Sequence, residues 1–195
     1  MDRRRCLAAI GSAGALAVAG CSALGGSTTL SDPTVRTEGP GRRSIHFTAD
    51  GEEVGHVGID ATADDGVFVL GTEIWHREDT TVQSLAFHTW AEPVEDAVGT
   101  DVAVVSPVEG DSSPPPSLTL RSPERGRGTV VEVEDIDDLR DETISTLEFL
   151  VRPGSEAVTA LVVDATVDLG GGGVLGGGYT LDGRLRLSLP ELTDS

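Results

Sequence analysis

Four histidines, His46, His56, His76 and His88, are the side chains best suited to hold a metal ion, and all lie within 43 residues of one another. Imidazole nitrogen binds zinc, copper and nickel, and Glu73 or Asp79 would add a carboxylate to such a set. The spacing matches no compact ligand motif, however. His76 and His88 stand near Trp75, Arg77 and Trp90, a setting expected of exposed strand faces. The sequence therefore predicts neither a metal nor a cofactor.

Other chemistries are excluded more sharply. A blue-copper centre needs a thiolate between histidines and usually an axial methionine. The only methionine is Met1, and the only cysteines are Cys6 and Cys21. Covalent haem attachment and cysteine-ligated clusters fail on the same count. No Gly-x-Ser-x-Gly elbow occurs. All 14 basic residues are arginine, so a phosphate loop ending in lysine is impossible. Gly154-Ser155 follows Pro153 and reads as a turn, and the glycines at 170–173 and 176–178 lead into a strand without a basic residue, as a loop would. The densest carboxylate groups, Asp60, Asp64 and Asp65, and Asp135, Asp137 and Asp138, lack the spacing of a calcium loop and read as solvated surface. No catalytic residue is predicted, and the chain is not expected to be an enzyme.

Trp75 and Trp90 are the remaining chemical feature. They are predicted to lie on neighbouring strands, each opposite the face that carries Phe68, Leu70 and Ile74 or Leu85 and Phe87. With those apolar sets in a core, Trp75, Trp90 and His88 either decorate an outer face that binds carbohydrate or protein, or cover the far edge of the fold.

The elements that would position these residues are strands throughout. From Ser44 the chain alternates with period two and turns every eight to twelve residues. Strands are predicted over 44–49, 54–61, 66–77, 80–90, 101–106, 117–122, 129–134, 143–151 and 157–169, with a last one around Leu185, Leu187 and Leu189. Asp50-Gly51 is a hairpin signal. The strand at 157–169 is the most continuously apolar and is expected to be central. Pro114-Pro115-Pro116 marks the 107–116 stretch as a loop, and the polar stretch 135–142 offers at most one helical turn. About ten short strands without an amphipathic helix predict an all-β fold, an antiparallel β-sandwich that is immunoglobulin-like in the broad sense, with a β-barrel as the alternative.

The first 43 residues read differently. Arg3-Arg4-Arg5 precedes an apolar run of 14 residues, Cys6 to Ala19, short of the roughly 20 that span a bilayer. Residues 1–20 thus form a signal segment, and 21–43, rich in Gly, Ser, Thr and Pro, read as a flexible tether to a single domain over 44–195. Arg3, Arg4 and Leu7 resemble the twin-arginine export motif, with Cys6 where phenylalanine is usual. Ala17-Val18-Ala19-Gly20-Cys21 resembles a lipobox, with Ala17 or Val18 where leucine is usual. Together the two motifs are similar to those of twin-arginine-exported lipoproteins of halophilic archaea. That resemblance implies cleavage after Gly20, a two-chain lipid on Cys21, and display on the external face of the cell membrane. A protein or glycan partner, or an accessory role beside a membrane transporter or secretion system, would suit such a location.

Charge bears on partners and habitat. The full chain has a formal charge of −19. Removing residues 1–20, with three arginines and one aspartate, leaves 175 residues at −21. Such a surface repels nucleic acid and anionic lipid headgroups. It also repels itself until salt shortens the Debye length to about 3 Å at 1 M. Stability should therefore rise with salt, and an unchanged melting temperature between millimolar and molar salt would contradict the high-salt reading.

Overall fold

The computed structural model describes residues 26–64, 67–93, 100–105, 117–124, 126–134, 144–153, 158–171 and 177–188. The export motif, Cys21, the triproline loop, the acidic stretch 135–142 and Gly154-Ser155 lie outside the described residues. Twelve strands are described: β1 (Thr28–Leu30), β2 (Thr34–Gly39), β3 (Arg42–Ala49), β4 (Glu52–Asp64), β5 (Val67–His76), β6 (Thr80–Pro93), β7 (Thr100–Val105), β8 (Ser117–Arg121), β9 (Thr129–Glu134), β10 (Ile144–Pro153), β11 (Val158–Gly171) and β12 (Tyr179–Ser188).

They form two six-stranded sheets. Sheet A has the order β1-β12-β11-β6-β9-β8, and sheet B the order β2-β3-β4-β5-β10-β7. All pairs are antiparallel except β1 with β12. Each sheet keeps two edges, so the fold is a sandwich and not a closed barrel. As expected, β11 lies inside its sheet, between β12 and β6, and its Leu161, Val163, Ala165, Val167 and Leu169 enter the core.

The alternation read from the sequence is the alternation that fills the core. Phe68, Leu70 and Ile74 of β5 face Leu85 and Phe87 of β6 across the sheets. Phe87 in sheet A meets Phe149 of β10 in sheet B with ring centroids 5.5 Å apart, a tilted pair that ties the layers together. The opposite sheet packs tightly against Gly183. A Cβ there would lie 2.7 Å from Ile45 Cδ1, 3.0 Å from Phe47 Cζ and 3.1 Å from Pro33 Cγ.

Two expectations about the chain's course are corrected. The segment read as a tether up to Arg43 enters both sheets, β1 beside β12 and β2 beside β3. These are edge strands held mainly through backbone hydrogen bonds. β2 is almost wholly exposed, with Val35 at 53%, so it shows no apolar period. The last strand likewise begins at Tyr179 rather than near Leu185.

Candidate functional site

The site begins with a turn and a bulge. Asp50 and Gly51 have φ of 53° and 85°, both left-handed, as a two-residue primed turn requires. This hairpin sets β3 against β4 with His46 opposite His56. Further along, Phe47 pairs with Gly55 and Thr48 with Glu53, leaving Val54 as an extra residue. Val54 is fully buried. The bulge therefore re-aims Glu53, three residues from His56, onto the same outer face of sheet B.

There Glu53 Oε1 lies 2.8 Å from His46 Nδ1 and 2.8 Å from His56 Nδ1. The two rings are 4.7 Å apart, and His56 stacks on Trp75, its partner on β5, at 5.4 Å and 17°. His46 Nε2 lies 2.9 Å from Ser44 Oγ, which donates to Glu38 Oε1 at 2.9 Å. His56 Nε2 lies 3.8 Å from Glu73 Oε1. Burial pushes the Glu53 carboxyl up, but its close contacts with His56 and His46 outweigh it. The group is held below the usual glutamate value.

Beside the cluster runs a trough of about 330 Å³, lined among others by Glu38, Arg42, Asp60, Glu73 and Glu148. Its floor is Gly58 and Gly71. Gly58 sits between Ser44 and Glu73 in the cross-strand rows, and Gly71 between Asp60 and Glu148. A Cβ at Gly58 would meet Glu73 Cβ at 3.6 Å and one at Gly71 would meet the Asp60 carbonyl at 3.8 Å, both ordinary contacts. The absent side chains leave the trough open without being demanded by the backbone. Arg42 is paired with Glu38 at 3.1 Å, so negative charge predominates along the walls.

The other predicted residues lie elsewhere. Trp75 and Trp90 occupy outer faces as expected, but β5 belongs to sheet B and β6 to sheet A, so the pair sits on opposite sides of the molecule. They cannot form one platform. Chain reversal between consecutive strands was read as sheet pairing, whereas here it crosses between layers. Trp90 keeps His88 beside it at 4.6 Å, and Arg184 covers its ring at 5.1 Å while donating twice to Asp164, at 2.5 and 2.8 Å. His88 Nε2 donates to the Arg127 carbonyl at 2.7 Å.

His76 is not on an exposed face. It is buried at the end of β5, its Nδ1 within 2.9 Å of Thr80 Oγ1 and 3.1 Å of the Arg77 carbonyl, where it closes the turn into β6. Of the two carboxylates expected near the histidines, Glu73 approaches His56, whereas Asp79 is engaged by Arg77. Arg77 holds the Asp79 carboxyl below its ordinary value. Glu53 was not anticipated. Only the bulge brings it to the histidines, and no alternating pattern reveals an extra residue.

A family model described as Domain of unknown function (DUF8121) matches residues 27–191, a span that takes in all twelve strands. The chain belongs to this DUF8121 family. No curated protein matches it. Among solved structures, this DUF8121 chain is similar to a cohesin module from a Clostridium perfringens family 33 glycoside hydrolase, with 20% identity and a TM-score of 0.43 over 69% of this chain and 96% of that one. It is also similar to AvmM, which catalyses macrocyclization in alchivemycin A biosynthesis, at 10% identity and a TM-score of 0.36 over 74% and 94% of the two chains. A collagen-binding domain from a Staphylococcus aureus adhesin gives 8% and 0.33, over 65% and 95%.

Proposed function

We propose that this DUF8121 protein is a non-enzymatic binding protein of the cell envelope. It is exported through the twin-arginine motif at Arg3, Arg4 and Leu7, cleaved after Gly20, and lipid-anchored through Cys21 on the external face of the membrane. Its sandwich binds a protein partner by a basic side chain seated in the sheet B trough. The observation that carries this reading is the trough itself: a glycine floor with Asp60, Glu73 and Glu148 around it, on an outer sheet face that no other element of the described chain covers. The anchor would hold the domain close to the membrane. Only seven positions separate Cys21 from Thr28 of β1, a reach of about 25 Å when fully extended. A strongly acidic, lysine-free chain suits a high-salt exterior, where screening limits self-repulsion.

The test fills the trough without disturbing the fold. Gly58→Val places a β-branched side chain in a strand where its Cβ makes only ordinary contacts, so stability should hold or rise by up to about 1 kcal/mol. Solubilised membranes in molar salt are then compared for co-purifying partners. The intact chain should retain a partner that the Gly58→Val chain loses at least tenfold at an unchanged melting temperature. Equal retention by both chains, or no partner on the intact chain, would contradict the reading.

A further inference from the structure

We infer that His46, Glu53 and His56 form a binding site for one divalent transition-metal ion, zinc by its ligand chemistry. The site goes beyond the trough reading, because a chain whose trough takes no partner would still hold the ion.

The hydrogen-bond network calls for positive charge at this point. Ser44 has one hydroxyl proton, and it goes to Glu38 Oε1. The 2.9 Å contact between Ser44 Oγ and His46 Nε2 must then be a donation from the ring. A neutral His46 with its proton on Nε2 would aim the Nδ1 lone pair at Glu53 Oε1 from 2.8 Å, an acceptor against an acceptor. A cation between them resolves the conflict. Either a second ring proton or a metal ion on Nδ1 would do so.

The remaining geometry favours the metal. Two imidazole nitrogens and one carboxylate oxygen, all within 4.8 Å of one another, match the set that holds zinc with an open position. In a tetrahedral zinc site the donors are about 3.3 Å apart, so the 2.8 Å contacts need open by only about half an ångström. Glu53 and His56 remain partly accessible, with 30% and 21% of their side chains exposed, which gives the ion a way in.

His46 also has, on its far nitrogen, the kind of partner that orients a metal ligand, Ser44 backed by Glu38, whereas Glu73 stands 3.8 Å from His56 Nε2, beyond hydrogen-bond distance. No other set of three such residues among the described residues approaches as closely. His76 and His88 instead spend ring nitrogens on Thr80 and on the Arg127 carbonyl.

The test uses the full chain, stripped with a chelator and titrated with Zn²⁺ in molar salt, which suppresses loose binding to the acidic surface. One ion per chain is expected, raising the melting temperature. His56→Ala and Glu53→Gln should each weaken binding at least 100-fold, and Ser44→Ala, which removes the outer partner of His46, about tenfold. X-ray absorption at the zinc edge of the unaltered chain should show two imidazole nitrogens, a readout independent of how any variant folds. No stoichiometric uptake, variants that bind as tightly as the parent, or zinc held by oxygen alone would each overturn the site.

Discussion

A Cys21→Ser chain is expected to leave the membrane almost completely. Two acyl chains on one glycerol anchor a protein stably, at about 0.8 kcal/mol per buried methylene, whereas a single chain binds only marginally. The substituted chain has no cysteine at the lipobox position to carry them. The apolar run from Cys6 to Ala19 is too short to replace the anchor as a spanning helix. Fractionation in molar salt should therefore move the protein from the membrane to the soluble fraction. Its melting temperature should not change, since Cys21 precedes β1 by seven positions. Full membrane retention of the substituted chain would contradict lipid attachment.

Phe149→Ala is expected to cost about 3–5 kcal/mol, the usual range for emptying a buried phenylalanine site. Phe149 is 1% exposed, and its ring partner Phe87 is fully buried in the opposite sheet. Sheet faces cannot collapse into the space as a loop would, because both backbones are fixed by ladders on either side, β10 by β5 and β7, and β6 by β11 and β9. Against a total of roughly 5–15 kcal/mol, the loss is a large share of the whole. Melting in molar salt should fall by roughly 10 °C. Phe149→Leu, which keeps most of the volume, should lose less than half as much. A drop of only a degree or two for alanine would mean that the two sheets do not pack through this pair.

The sandwich was legible because its core strands obey one rule. In β5, β6, β9 and β12, apolar residues recur at every second position, and burial follows them. Asp50-Gly51 announced its own turn. Legibility failed where stability comes from the backbone. The residues of β1 and β2 carry little apolar pattern, because an edge strand satisfies its hydrogen bonds on one side and leaves its side chains in solvent.

The site was half legible for a related reason. The histidines stood out by type, but their meeting depends on register. His46 and His56 are ten positions apart and become neighbours only through the β3–β4 hairpin. Glu53 joins them through the bulge at Val54, which inverts the face that simple alternation assigns. The tryptophans failed in the opposite direction. Their outward orientation was read correctly, but alternation along a strand contains nothing about which sheet the strand joins. Trp75 therefore fell to the histidine face of sheet B and Trp90 to the Arg184 face of sheet A.

The measurement that bears most directly on an envelope protein held by lipid is the intact mass of the mature chain purified from membranes. The chain is expected to begin at Cys21, lack residues 1–20 and carry the added mass of a two-chain glycerolipid on that cysteine. A chain that begins elsewhere, or an unmodified Cys21, would contradict it.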